Sequence, residues 1–216
     1  MDVEVAGHRL VLLPQKALWW PETRSLLVAD AHVGKAASFR ALGVPVPRGT
    51  TSETLAVLSA LAERWAARRI VFLGDFLHSA HAHAPATLAA LARWRARHAA
   101  IDLLLVRGNH DDRAGDPPAA LGFEVVDEPL AAGALALCHH PQPQPGRYVL
   151  AGHLHPCISI GGRGGDRLRL ACFHFGLHVG VLPAFGSFTG MHPIVRRPGD
   201  RVYVVGEELV AALPER

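Results

Sequence analysis

The sequence has 216 residues, half of them hydrophobic, which is enough for one domain with a substantial core, and we expect a single domain over residues 1–216. A formal charge of +3 and a pI near 9.1 are compatible with a polyanionic partner without identifying one, whereas the 14 histidines indicate metal. Three cysteines without Cys-x-x-Cys spacing argue against a disulfide framework, and no signal peptide or membrane-length apolar run is visible, so we expect a cytoplasmic protein without membrane contact.

The first half of the chain alternates apolar strands with helices. Two short strands are predicted within residues 3–13, and single strands at residues 26–29, 70–73 and 103–106. Helices are predicted at residues 34–40, from Thr50 onward, and from Pro85 to about His98. The order strand, helix, strand, helix, strand indicates a parallel sheet with helices on its faces.

Two local patterns in this half make specific predictions. Thr50 followed by Glu53 matches a capping box, in which each side chain binds a backbone N–H of the first helical turn. Trp19 and Trp20, set among prolines, predict an apolar surface cluster at a turn. We therefore expect a side-chain cap on the second helix. We expect Trp19 and Trp20 to form an apolar cluster before the first core strand, in a core or an interface rather than as stacking platforms for bases.

The second half of the chain has little helix and is dense in proline and glycine. Strands are predicted at residues 123–126, 133–138, 148–151, 158–160, 167–173, 180–182 and 202–205. An α/β half followed by a β-rich half predicts an α/β fold, a β-sandwich of two mixed sheets flanked by helices.

Polar clusters follow five of the apolar strands. They are Asp30-Ala31-His32, Gly74-Asp75, Gly108-Asn109-His110-Asp111, His139-His140 and Gly152-His153-Leu154-His155. This repetition indicates a site built on loops at one edge of a sheet.

The residue types in these clusters predict two divalent metal ions. Two neighbouring ions need a shared anionic bridge, and Asp75 is the candidate because each carboxylate oxygen can bind one ion. Asp30, His32 and a distant histidine would complete one site, and Asn109 with two further histidines the other. Imidazole, carboxylate and amide ligands without thiolates suit manganese, iron or zinc.

These motifs, in this order, resemble the calcineurin-like metallophosphoesterase superfamily. One motif alone is weak, whereas five in order, each after an apolar strand, are specific. The resemblance implies a first metal bound by Asp30, His32, Asp75 and His155. It implies a second metal bound by Asp75, Asn109, His139 and His153. His139 is preferred to His140 because it comes first after the strand, where the family places its ligand.

The resemblance also implies a mechanism. A hydroxide that bridges the two metals would attack phosphorus in line. His110 would act on the leaving-group side, and Asp111 would help to orient it. Family members often have Asp where this chain has His78, three residues after Asp75, a departure that leaves the ligand set intact. We expect His78, His81 and His83 to lie in a solvated loop rather than to form a third metal site.

Residues 34–40, 46–51 and 182–190 narrow the resemblance to the bacterial ligase-associated DNA-damage-response endonucleases (the PdeM branch), with small departures at Ala31 and Met191. That branch implies manganese-dependent cleavage of single-stranded DNA and a DNA-repair ligase or helicase as partner. Candidate substrate contacts are Asn109 and the basic residues nearest the motifs, Lys35, Arg40, Arg48 and Arg113. Phe39 and Phe76 are candidates for base stacking.

Two other functions are compatible with the same residues. A small-molecule phosphoesterase, acting on nucleotides or phosphomonoesters, would use the two metals in a closed pocket, whereas a nuclease would leave the metal face open and basic. A non-catalytic scaffold would have lost ligands, and the intact set that includes His110 argues against it. The apolar composition is compatible with a homodimer.

Overall fold

The computed structural model describes residues 1–46, 49–161 and 167–214, which form two mixed β-sheets with helices outside the first. The first sheet has seven strands in chain order: β1 (Asp2–Val5), β2 (His8–Leu13), β3 (Ala17–Trp20), β4 (Ser25–Val28), β5 (Arg69–Leu73), β6 (Asp102–Val106) and β7 (Phe123–Val126). Neighbours from β1 to β4 are antiparallel, whereas β4 to β7 run parallel, which requires crossover connections between them.

The second sheet is built from the β-rich half of the chain. Its strands are β8 (Leu130–Ala132), β9 (Leu135–Leu137), β10 (Tyr148–Ala151), β11 (Pro156–Gly161), β12 (Arg167–Phe175), β13 (Val179–Val181), β14 (His192–Pro193), β15 (Arg201–Val205) and β16 (Val210–Ala212). Their order is β14-β11-β12-β13-β10-β9-β8, with β15 paired to β12 and β16 to β15. The parallel neighbours β9, β10 and β13 make this sheet mixed as well.

The helices lie in the connections of the first half. Within the described ranges, the α-helices are α1 (Lys35–Ala41), α2 (Thr50–Arg64), α3 (Pro85–Arg97) and α4 (Asn109–Ala114), and short 3-10 helices cover Ala80–His83 and Ala119–Leu121. The starts of α1, α2 and α3 lie within one residue of the predictions. Among these residues, no helix combines the length and the hydropathy needed to cross a bilayer.

Alternating side chains of the first sheet divide its two faces between two cores. Leu26 of β4 belongs to the core shared with the helices, which includes Leu58 of α2. Leu27 belongs instead to the core between the sheets, with Leu150 of β10 and Phe173 of β12. The helices therefore cover one face of the first sheet, and the second sheet covers the other, which confirms the predicted α/β sandwich.

The predicted side-chain cap and the predicted turn at the two tryptophans are wrong, whereas the expected core position of the tryptophans is confirmed. Trp19 and Trp20 lie in β3, only 6% and 5% exposed, and they enter the two different cores because successive side chains of a strand point to opposite faces. Gly49, with φ 100°, precedes α2, and no side-chain hydrogen bond caps this helix. Glycine adopts this backbone without strain, so the helix starts from a glycine turn and Thr50 lies inside its first turn.

The strand ends bring the predicted site together. β4, β5 and β6 are adjacent and parallel, so the loops after them leave the same edge of the first sheet. In the second sheet, the N–H of Gly152 after β10 donates to the carbonyl of His139 after β9, at 3.1 Å. A Cβ on Gly152 would lie 2.6 Å from Oδ2 of Asp30, so this edge meets the edge of the first sheet. The five loops converge at one end of the sandwich.

Candidate metal centre

The backbone of the converging loops is unusual. Of nine non-glycine residues with positive φ in the described chain, five are predicted ligands: Asp30, His32, Asp75, His153 and His155. Residues with a Cβ rarely adopt this conformation, because the Cβ crowds the following carbonyl. These rarely adopted backbone conformations are therefore concentrated at the predicted ligands, as is common at functional sites.

One group of ligand atoms contains Asp30, His32 and His155. Nε2 of His155 lies 3.4 Å from Nε2 of His32 and 3.5 Å from Oδ1 of Asp30. Oδ2 of Asp75 lies 3.9 Å from Nε2 of His32. Asp30 and His32 are buried, whereas His155 is half-buried, so this group reaches solvent on the side of His155.

A second group contains Asn109, His139 and His153. Nε2 of His139 lies 3.0 Å from Oδ1 of Asn109 and 3.1 Å from Nδ1 of His153. Oδ1 of Asp75 lies 3.5 Å from the same Nε2. Asp75 thus presents one carboxylate oxygen to each group, which is the arrangement that a bridging ligand requires.

The two groups could hold metal ions, and three observations support this fit. Oδ1 of Asp30 is buried and has no hydrogen-bond partner, a costly state for a carboxylate oxygen without a cation. Burial raises the pKa of Asp75, the backbone N–H of His110 opposes the shift, and the charge of Asp30 raises the pKa further, so two interacting acids are buried together at the site. Ligand atoms about 2.1 Å from one ion lie roughly 3.0–3.4 Å apart, close to the spacing within each group.

Burial favours the neutral form of the imidazoles of His32 and His139. Burial lowers the pKa of His32 to about 2, and burial also lowers the pKa of His139. Nδ1 of His139 lies 3.1 Å from the carbonyl oxygen of Leu73, and Nδ1 of His155 lies 3.1 Å from that of Gly190. Because a carbonyl only accepts, each Nδ1 carries a proton, and each Nε2 is the nitrogen that faces its group.

Glu128 separates the roles of the two adjacent histidines. Its Oε1 lies 2.5 Å from Nδ1 of His140, and its Oε2 accepts the backbone N–H groups of His139 and His140. His139 is fully buried beside Asn109, whereas His140 is half-buried and held by Glu128. His140 still lies close enough to His139 and His153 to share a metal with them. The sequence prediction missed Glu128, which lies on a loop outside the motifs.

The Gly-Asn-His-Asp turn differs from the prediction in one respect. The buried carboxylate of Asp111 accepts backbone N–H groups from Gly108, Leu77 and Phe76 at 3.0, 3.0 and 3.3 Å, and burial raises its pKa to about 6. Nδ1 of His110 instead contacts the carbonyl oxygen of His78, at 2.7 Å. Asp111 therefore joins two loops, and any effect of it on His110 passes through the backbone.

The histidine-rich loop after β5 is partly incorporated in the site. His78 stacks on His110 with ring centroids 4.9 Å apart, and its Nδ1 lies 3.5 Å from Nδ1 of His32. Burial lowers the pKa of His78 to about 4. His81 is exposed as expected, whereas His83 lies 2.9 Å from the carbonyl oxygen of Ala114 and holds the end of α4. The expectation of a wholly solvated loop is therefore wrong for His78.

The candidate substrate residues lie at different depths. Arg40 and Arg113 are exposed on α1 and α4, and Arg48 lies outside the described residues. Lys35 is half-buried near the carboxylates, and burial lowers its pKa while Asp30 and Asp75 oppose that shift.

The two candidate stacking residues differ in accessibility. Phe39 is half-buried, stacks on His78 at 6.1 Å and meets Phe188 edge-on at 5.7 Å. Phe76 is 0% exposed and packs against Phe72 and Phe123, so it cannot stack on a base. The pair Phe39 and Phe188 is the aromatic surface beside the site, and the sequence prediction missed Phe188.

Two motif glycines allow the loops to approach each other. A Cβ on Gly74 would lie 2.1 Å from Nδ1 of His139, and one on Gly108 would lie 2.5 Å from the backbone nitrogen of Asp75. No side chain fits in these spaces, so the glycines of the Gly-Asp and Gly-Asn-His-Asp motifs are steric requirements of the site.

A scan against protein-family models found no match, and a search of curated proteins found none either. Among solved structures, the crystal structure of Pseudomonas putida nuclease MPE has 46% sequence identity and a TM-score of 0.87, and the match covers 99% of each chain. The phosphoesterase Yfce from E. coli matches at 16% identity and a TM-score of 0.36, over 86% of this chain and 90% of its own.

Proposed function

This chain belongs to the calcineurin-like metallophosphoesterase family, as its likeness to the Pseudomonas putida nuclease establishes, and we propose that it is a manganese-dependent endonuclease acting on single-stranded DNA in repair. Carboxylate, amide and imidazole ligands support manganese, and iron and zinc fit the same set. The resemblance of residues 34–40, 46–51 and 182–190 to DNA-repair endonucleases supports the substrate. A ligase or helicase partner, a homodimer and a cytoplasmic location stay predictions.

We propose two metal ions bridged by Asp75. Asp30, His32 and His155 would complete the first site, and Asn109, His139 and His153 the second. The support is the orientation of the Asp75 carboxylate, with Oδ2 toward His32 and Oδ1 toward His139. Two divalent ions held in this way supply a hydrolytic nucleophile at neutral pH and offset the charge of the attacked phosphate.

The chain's own residues would orient the substrate and handle the leaving group. Nδ1 of His110 is occupied by the carbonyl oxygen of His78, so Nε2, 3.9 Å from Oδ2 of Asp75, is the nitrogen that faces the site. Protonated at Nε2, His110 would donate to the leaving oxygen as the phosphorus–oxygen bond breaks. Asp111 would hold the loops of Phe76 and Gly108 together, and Arg40, Arg48, Arg113 and Asn109 would contact the phosphate backbone.

The open face of the metal centre favours a polymer over a small ester. His153 is exposed, and His110 and Asn109 are half-buried. A cavity of about 350 Å³, lined by His153, Leu154, His155, Gly190, Met191 and His192, borders the site on one side. Because several predicted ligands reach the surface, a strand can cross the site without entering a closed pocket.

The test is Mn²⁺-dependent cleavage of circular single-stranded DNA, run beside bis-p-nitrophenyl phosphate. We expect both substrates to be hydrolysed and the Asp75→Ala variant to hydrolyse neither. Circular DNA has no ends, so its cleavage identifies an endonuclease. Cleavage of the small ester alone would support the metal centre and replace the DNA substrate with a nucleotide or phosphomonoester.

A further inference from the structure

The two lysines of this chain, Lys16 and Lys35, lie beside one loop at the edge of the metal centre. We call residues 186–190 the flanking loop. Lys35 and Lys16 line separate cavities, and Ser187 and Thr189 of the flanking loop line both. Every other basic residue apart from histidine is an arginine, so these two positions place a compact ammonium group near the site.

The cavity at Lys16 has the size and lining of an anion site. Its volume is about 200 Å³, and it is lined by Lys16, His155, Pro156, Ala171, Ala184, Ser187, Thr189, Gly190 and Met191. A water molecule occupies about 30 Å³ of liquid, so this volume accommodates a phosphodiester group. The lining contains an ammonium group, two hydroxyl groups and no carboxylate.

Lys16 has few partners for its charge. Its Nζ donates to the carbonyl oxygen of Gly186 over 3.4 Å, a long contact, and no described carboxylate lies within ion-pair distance of it. Lys16 is half-buried, and burial lowers its pKa. A desolvated ammonium group with unused donors is stabilised by an anion that accepts from them.

The flanking loop is fixed to the strand that carries two predicted ligands. Ala184 bridges to Ala29, and the N–H of Gly186 donates to the carbonyl oxygen of Asp30 at 3.2 Å. A Cβ on Gly186 would lie 2.6 Å from the carbonyl oxygen of Ala31, so the loop lies against the Asp30-to-His32 turn.

At its other end, the flanking loop contacts the first ligand group directly, since the carbonyl oxygen of Gly190 lies 3.1 Å from Nδ1 of His155. The Lys16 cavity, which His155 also lines, is therefore held at a constant position relative to the metal centre. A group bound in that cavity is positioned with respect to whatever the metals hold.

We propose that Lys16 and Ser187 bind a second phosphodiester group of a polynucleotide, next to the one that is cleaved. The inference rests on the proposed function, since it takes the cleaved phosphate to lie at the metals. It goes further because it distinguishes two kinds of substrate. A polynucleotide has a neighbouring phosphate that can bind in this cavity, whereas a simple diester has none. Lys16 is then a specificity-determining residue.

The experiment compares two substrates in the Lys16→Ala variant, an oligothymidylate and bis-p-nitrophenyl phosphate. We expect the ratio of kcat/KM for the oligonucleotide to kcat/KM for the ester to fall about tenfold, the effect of losing one charge-assisted hydrogen bond. We also expect the salt slope of oligothymidylate binding, measured in the Asp75→Asn background, to decrease by about 0.7. Lys16→Arg should restore most of the ratio.

Arg93→Ala is the matched control, because Arg93 is exposed on α3 and its loss changes net charge equally. For Arg93→Ala, the ratio of kcat/KM for the oligonucleotide to kcat/KM for the ester should equal that of the wild type. A Lys16→Ala variant that lowers both activities equally, or neither, would overturn the inference. Failure of the wild type to cleave any polynucleotide would overturn the proposed function instead, while an unchanged salt slope would overturn the Lys16 subsite independently of cleavage.

Discussion

Nε2 of His139 lies 3.0 Å from the side-chain oxygen of Asn109, although 30 residues separate them in the chain. Nδ1 of His139 donates to Leu73, so its Nε2 is an acceptor that faces another acceptor. Nδ1 of His153 lies a further 3.1 Å from the same atom. At 3.0 Å, Nε2 of His139 and the side-chain oxygen of Asn109 repel each other unless a cation lies between them.

Metal removal should destabilise the protein. Two buried acids, one of which has an unpartnered oxygen, would lose the metal charge in the apo-protein, so chelation should lower the melting temperature and Mn²⁺ should restore it. An ion at 100 times its Kd adds about 2.7 kcal/mol to the free energy of unfolding. Calorimetry on chelated and Mn²⁺-loaded protein measures this. Identical melting temperatures would contradict the proposed centre.

Asp75→Asn should abolish both metal stabilisation and hydrolysis. The substitution keeps the size of the side chain and removes the charge that both ligand groups share. Asp112→Asn is the matched control, since it removes the same charge from an exposed side chain of α4, three residues after Asn109. Metal content by elemental analysis and bis-p-nitrophenyl phosphate hydrolysis should separate the two variants. Full activity in Asp75→Asn would exclude it as the bridge.

His110→Ala should keep the metals and slow turnover. As a leaving-group acid, His110 is worth about 10²–10⁴-fold in kcat on DNA. The loss should be smaller on bis-p-nitrophenyl phosphate, because nitrophenolate leaves without protonation. Comparison of kcat on the two substrates tests the role, and equal losses on both would assign His110 to phosphate binding rather than to proton donation.

Gly108→Ala should disrupt the site for steric reasons alone. The new Cβ would lie 2.5 Å from both the backbone nitrogen and Oδ1 of Asp75, and φ at Gly108 is −108°, so no left-handed strain contributes. Overpacking of this kind costs about 1–3 kcal/mol of stability. Gly161→Ala is the control, because nothing lies within 4 Å of its Cβ position. Thermal unfolding and Mn²⁺ binding of both variants measure the effect.

His98 should make stability depend on pH at a point away from the metal centre. Its Nε2 lies 2.7 Å from the hydroxyl of Ser59, which also accepts from Nε1 of Trp94 at 3.1 Å. The pKa of His98 is lowered from 6.5 by burial and, secondarily, by Arg97, while Glu63 opposes the shift.

Because the folded pKa lies below the unfolded one, the stability linked to His98 is complete above pH 6.5 and is lost as pH falls toward the folded pKa. The free energy of unfolding of His98→Gln should therefore fall less than that of the wild type on acidification. Urea titrations at several pH values, with chelator present in both samples, measure the difference. Parallel pH profiles would rule out this contribution.

Local sequence patterns were sufficient to locate the core strands and the residues that follow them. A run such as residues 70–73 is apolar because both faces of the strand are buried, and the polar residue after it marks the strand end. The same patterns misplaced Trp19 and Trp20, because a buried four-residue strand and an apolar turn look alike without the partner strands.

The residues that complete the site by contacting the predicted ones could be identified only from the three-dimensional packing. Glu128 lies 12 residues before His140, His78 holds His110 across 32 residues, and Lys16 meets Gly186 across 170. Periodicity reports burial along one segment and carries no information about which distant loop covers it. The ligand types therefore follow from the sequence, whereas their orientation depends on how the two sheets pack against each other.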